Sequence, residues 1–190
     1  MKKTIAILLA LTVLASAFAQ GSSESPKAAE PAAKGPSSIS VCIASEPDTI
    51  DPALNSAVDG ATLTAHLFSG IAKWAQDASG KLVIVPDAAT ALPEGVENED
   101  GTITYTYTLR DMKWSDGKPV TAGDFEFAWK RAASTELGAD YGYMFDVIKG
   151  YPDDLEVEAK DDKTLVVTLN NYVAYWNELL AFPAYYPVRE

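Results

Sequence analysis

The chain has 190 residues, with 27 acidic side chains against 15 basic ones and a formal charge of −12. That balance argues against nucleic acid as a partner, because nucleic-acid binders carry a basic footprint. A hydrophobic content of 47% argues against global disorder, and a single cysteine excludes an internal disulfide framework.

Residues 1–19 read as a cleavable export signal. Lys2 and Lys3 are the charged end, residues 5–14 are an apolar run too short to span a bilayer, and Ala17-Phe18-Ala19 is a small-x-small cleavage pattern, with cleavage after Ala19. A lipid anchor would need a cysteine at that point; position 20 is Gln, and the only cysteine is Cys42. Nothing later in the chain is apolar for long enough to be a transmembrane helix. A secreted, extracytoplasmic protein is expected. Residues 20–38 are Ser, Pro, Ala, Glu, Lys and Gly without apolar periodicity, a flexible linker.

Order is expected from Ile39. Residues 38–44 alternate Ile39, Val41 and Ile43 against Ser40 and Cys42, which predicts a short strand with Cys42 as a small buried thiol rather than a reactive one. Residues 45–52, with two prolines and three acids, make a loop. Residues 61–74 predict a helix with Leu63, Leu67, Ile71 and Trp74 on one side. His66, the only histidine, has no ligand-type neighbour at metal spacing and reads as a structural or surface residue. Residues 81–86 fit a strand.

The most informative stretch is residues 99–133. After the Asp100-Gly101 turn, Ile103, Tyr105, Tyr107 and Leu109 alternate with threonines and Arg110, the period of a half-buried strand. Asp116-Gly117 turns the chain again. Thr121, three residues before Asp124, forms a near capping box for a helix that places Phe125, Ala128, Trp129 and Ala132 on one apolar face. Residues 134–151 are rich in glycine and aromatics, a composition that serves equally as a packed loop or a binding wall. Residues 155–159 and 164–169 predict a hairpin with a solvated Glu156/Glu158 face. Asn170 or Asn171 is expected to cap a helix running to Leu180, and residues 182–188, with two prolines, to be extended. Core packing is the expectation for Trp74, Trp114, Trp129 and Trp176.

The wording of residues 109–129 carries more than periodicity. Leu109-Arg110, then Lys113-Trp114-Ser115-Asp116-Gly117, Pro119-Val120-Thr121-Ala122, Asp124-Phe125 and Trp129 resemble the signature of the family 5 extracellular solute-binding proteins of peptide ABC transporters, on the oligopeptide-binding side. The Ile50-Asp51-Pro52 step and Leu67-Phe68-Ser69-Gly70-Ile71 also fit. Pro86-Asp87-Ala88-Ala89 with Leu92 keeps only part of a family pattern that continues to a Trp.

The resemblance implies a mixed α/β (α+β) fold, the N-terminal lobe of a two-lobed periplasmic binding protein with a mostly antiparallel sheet. Residues 39–190 would be an incomplete N-terminal part, since such proteins are much longer than this chain. The implied ligand is an extended peptide, the implied partners are an ABC permease and its ATPase subunits, and the protein is expected to be a monomer without cofactor. Ser45, Glu46 and Pro47 are candidates for strand-like pairing with peptide main chain, with a structural turn as the equal alternative. In the resembled proteins a tyrosine of the glycine-rich loop lines the cleft; Tyr141 is the nearest match and Tyr143 the next. No G-x-S-x-G, HExxH, CxxC or P-loop is present, so no enzyme is expected. The runner-up is a carbohydrate-oligomer or other small-ligand receptor of the same fold.

Overall fold

A computed structural model describes residues 38–43 and 45–190. The expected export signal and most of the expected linker lie outside them. The chain divides after Val41. Of the first unit, residues 38–41 are described and carry no regular secondary structure, with Ile39 and Val41 exposed. The expected strand over residues 38–44 does not form among them, and Cys42 is exposed rather than buried. Alternation selects a face, but a strand also needs a partner ladder, and no described residue supplies one.

The second unit, Cys42–Glu190, contains α1 (Val58–Leu67), β1 (Ala72–Gln76), β2 (Leu82–Pro86), β3 (Val96–Glu97), β4 (Ile103–Thr108), α2 (Ala122–Ala133), β5 (Val157–Asp161), β6 (Thr164–Leu169) and the single turn α3 (Trp176–Leu179). Short 3-10 turns cover Gly142–Phe145 and Pro183–Tyr185. Every pairing between these strands is antiparallel. β1 and β2 form a two-stranded ribbon, and the other four form one sheet in the order β3-β4-β6-β5. This is the mixed α/β architecture expected.

The central strand and helix form as their periods predict. β4 buries Ile103, Tyr105 and Tyr107, with Leu109 just beyond it, against Leu165, Val167 and Leu169 of β6. α2 packs on β5 and β6 through Phe125, Ala128, Trp129 and Ala132. Its capping box is present: Asp124 Oδ2 accepts the Thr121 N–H at 2.8 Å. The same oxygen accepts from the Thr121 hydroxyl at 3.2 Å and from Trp114 Nε1 at 3.3 Å. An aspartate in place of the usual glutamate thus holds three donors and fixes the Trp114 indole beside the helix start. The aromatic core continues into α3, where Trp176 Nε1 donates to the Tyr107 hydroxyl at 2.7 Å in a buried contact. Burial pushes the Tyr107 pKa up, so the hydroxyl stays neutral.

Three further expectations are corrected. The helix of residues 61–74 stops at Leu67, and Trp74 stands in β1, 51% exposed, opposite Ile84. Phe68 already leaves the helix with an extended backbone (φ −119°, ψ 164°), and two residues later Gly70 packs so closely that a Cβ would come 2.7 Å from the Tyr186 ring and 2.9 Å from the Leu180 carbonyl. The helix expected from Asn170 shrinks to one turn, because the Asn170 side chain donates to the Asp146 carbonyl at 2.9 Å instead of capping. Residues 182–188 are not wholly extended: Pro183 opens a 3-10 turn, a position where a missing N–H costs nothing.

Candidate functional site

The loop at residues 45–55 is built by its own polar side chains. Ser45 and Glu46 are exposed and Pro47 is half-buried. The Ser45 hydroxyl donates to Asp59 Oδ2 at 2.5 Å. That bond, and next the Gly60 N–H, hold the Asp59 carboxyl below its usual pKa. Asp51 anchors the far end of the loop. Its Oδ1 accepts the Ala53 N–H at 3.0 Å, and the carboxylate receives Arg131 of α2 through Nη1 (3.1 Å) and Nη2 (2.7 Å). This two-pronged pair spans 80 residues of sequence, and no spacing in the chain announces it.

Burial alone would raise the Asp51 pKa, but the Arg131 hydrogen bonds and the Ala53 N–H outweigh it and leave the carboxyl below the usual range. A depressed folded pKa stabilises the fold above the unfolded pKa, and the contribution is lost as pH falls through the folded value. Asp51→Asn should therefore cost about 1–2 kcal/mol at pH 7, as a half-buried charge-assisted pair does. In urea melts the gap between the two proteins should close when the pH is taken below the Asp51 pKa. A gap that is unchanged in acid would show that the charge contributes nothing.

The loop after α2 is set by close backbone packing. Gly142 is buried, and a Cβ there would lie 3.0 Å from the Ala132 carbonyl. Phe145 and Ile148 go into the core, as the packed-loop alternative required. Tyr141 is half-buried, its ring set edge-on to Phe182 at 5.0 Å and 6.3 Å from Tyr143. Tyr143 itself is 59% exposed. The structure thus brings Tyr141 and Tyr143 together on one surface. No hydrogen bond or ring contact among the described residues joins them to Ser45, Glu46 or Pro47. What the two groups share is the C-terminal turn of α2, which holds one through Arg131 and the other through Ala132.

His66 is exposed and its Nδ1 lies 2.7 Å from the Thr62 carbonyl of its own helix, consistent with a surface residue. Among the described residues no group of three or more His, Cys, Asp or Glu is gathered as a metal site. A cavity of about 740 Å³ lies over the outer side of α2, between Phe127, Arg131 and Leu137. Another of about 570 Å³ lies between the β3 region and α3. Neither contains any of the five candidate residues.

The model of the family described as bacterial extracellular solute-binding proteins, family 5 Middle, matches residues 83–190. The oligopeptide-binding protein OppA of Bacillus subtilis is 34% identical over 197 aligned positions, 98% of this chain and 34% of that protein. The dipeptide-binding protein DppE of the same organism is 41% identical over 115 positions, 55% of this chain and 21% of that protein. Among solved structures, Haemophilus influenzae OppA in complex with RPPGFSPFR matches with a TM-score of 0.65 at 32% identity, over 77% of this chain and 29% of that one. Listeria monocytogenes OppA bound to peptide matches with a TM-score of 0.61 at 35% identity, over 74% and 28%. The chain spans about a third or less of the length of these relatives.

Proposed function

The chain belongs to the bacterial extracellular solute-binding proteins of family 5, and from that premise we propose that it is part of the peptide-binding component of an ABC importer. The observation that carries this is the match of its fold, at 0.65 and 0.61, to OppA proteins solved with peptides in place. The role is binding and delivery, not catalysis. The ligand is an oligopeptide, and the partners are a membrane permease and its ATPase subunits. Residues 1–19 direct export, residues 20–38 tether, and the protein works outside the cytoplasm.

In this reading residues 39–190 supply one wall of the cleft. Ser45, Glu46 and Pro47 offer exposed backbone to the peptide main chain, which makes recognition tolerant of sequence. Tyr143 presents a ring to the ligand, and Tyr141, braced on Phe182, presents an edge. The Asp51–Arg131 pair and the Gly142 contact keep both groups at fixed positions on α2, so little ordering is left to be done on binding.

A small ligand in a closed site has roughly 70–90% of its surface covered, and one wall covers about half of that. The 190-residue chain by itself should show no calorimetric binding of tri- to pentapeptides at about millimolar concentration. A chimera in which residues 39–190 replace the matching third of the Bacillus subtilis OppA should bind them at about micromolar Kd, and Tyr141→Ala in the chimera should weaken binding about tenfold. Tight binding by the 190 residues alone refutes the two-wall arrangement. A folded chimera that ignores peptides refutes the ligand.

A further inference from the structure

The cavity of about 570 Å³ between the β3 region and α3 falls within the size range of small-molecule sites. Its floor is Ile103, Tyr105, Val173 and Trp176, all buried. Its rim carries Glu94 and Glu97, and no lysine or arginine lines it. The ion pairs among the described residues involve neither glutamate. Two exposed carboxylates therefore stand at the rim of a hollow with an apolar floor and a largely polar lining, with no lysine or arginine in that lining to answer them.

Tyr105 supplies the second, independent feature. The residue is 6% exposed and lines the cavity, and its hydroxyl has no hydrogen-bond partner among the described residues. Nor is that oxygen sealed inside the protein, so it opens towards the hollow. A hydroxyl that opens at a cavity wall on an otherwise buried side chain, with no protein partner, is free to bond to whatever fills the cavity. Gly95 backs onto the ring so closely that a Cβ would lie 2.7 Å from Tyr105 Cζ, which keeps the ring in its place at the wall. Burial, and next the neighbouring Tyr172, raise the Tyr105 pKa. The group is a neutral phenol whose oxygen accepts a hydrogen bond. Tyr172, 72% exposed, stands at the mouth.

We propose that this cavity is a binding site for a small organic cation, an ammonium or guanidinium on an apolar body. The apolar body lies against Ile103, Val173 and the two rings, and the charged head donates to Tyr105 and is neutralised by Glu94 and Glu97. Aromatic walls add attraction for a cation. An anion of the same shape meets two carboxylates, and a neutral analogue leaves them unanswered. The site shares no residue with the proposed peptide-contacting set, so its failure and the failure of the peptide reading are separate results.

The test is titration of the 190-residue chain with phenethylammonium, phenethyl alcohol and 3-phenylpropionate, followed by amide chemical shifts. Phenethylammonium should shift Gly95, Val173 and Asn177 with a Kd of about 1 mM or below, the alcohol should bind about tenfold more weakly, and the anion should leave them unmoved. Glu94 and Glu97 are exposed, so the Glu94→Gln/Glu97→Gln double variant keeps the fold and should lose about tenfold in affinity for the cation while binding the alcohol as before. Tyr105→Phe should weaken the cation a few-fold and leave the alcohol unchanged. Equal binding of cation and alcohol, an unaffected double variant, shifts that map elsewhere, or no shift at about 10 mM would each overturn the assignment.

Discussion

Trp129→Ala should destabilise the fold by about 3–5 kcal/mol, as truncation of a buried large aromatic does. The indole is fully buried. It meets Tyr185 edge-on at 5.1 Å, Trp176 edge-on at 6.2 Å and Phe145 at 6.3 Å, so three rings lose a neighbour at once. Its Nε1 also donates to the Tyr185 carbonyl at 2.8 Å, and that buried oxygen would lose its partner. Against a usual domain stability of about 5–15 kcal/mol, the variant would be close to unfolding at physiological temperature. Urea unfolding measures it. Trp129→Phe keeps most ring contacts and removes the hydrogen bond, and should cost about 1–3 kcal/mol. A loss under about 1 kcal/mol for the alanine variant would mean the core does not depend on this ring.

Gly150→Ala should cost about 2–4 kcal/mol, more than a change of one methyl suggests. Gly150 sits at φ +81°, where an L side chain is strained, and an added Cβ would overlap the Asp154 carbonyl oxygen and lie 2.7 Å from its carbon. Those atoms belong to a turn closed by the Asp154 N–H to the Gly150 carbonyl at 2.9 Å. The obstacle is backbone and cannot swing aside, so the turn must open. Gly80 separates the two causes. Its φ is nearly the same, +82°, and no atom lies within 4 Å of the position a Cβ would take; Gly80→Ala should cost only the backbone part, about 1–2 kcal/mol. Equal losses at the two positions, in paired urea melts, would show that steric overlap at Gly150 is relieved without consequence.

Legibility in the sequence follows the range of the forces involved. β4 and α2 can be read because their apolar faces repeat at two and 3.6 residues, and the capping box lies within four residues. The hairpin of β5 and β6 has the same local character. Trp74 misleads because Leu63, Leu67, Ile71 and Trp74 keep a helical spacing that ignores Gly70. Just past the end of that helix, Gly70 packs against Tyr186 and Leu180, more than a hundred residues away, a contact no local spacing carries. Asn170 suits the nearest helix start, yet its amide bonds to Asp146, 24 residues back. At the candidate site, Ser45, Glu46, Pro47, Tyr141 and Tyr143 come from resemblance, and Asp51 lies in the resembling Ile50-Asp51-Pro52 step, but the ion pair it makes with Arg131 does not come from it. Nothing in the chain links Asp51 to Arg131 until the fold sets them 2.7 Å apart.

Among the described residues the four-stranded sheet has two unpaired edges, β3 and β5, and these bear on how such a fold avoids pairing with other chains. An open edge offers unpaired backbone to any other chain and is a seed for aggregation. Here one edge, β3, has only two residues. The other, β5, is broken by a bulge between Ala159 and Asp161 and shows a Glu158–Lys160 pair to solvent. Both devices deny a stranger a long, flat ladder. The β1–β2 ribbon lacks them: it is regular over five pairs and exposes Trp74 and Leu82. Fibril growth from this unit, under conditions that loosen it, would start from the ribbon and not from the sheet.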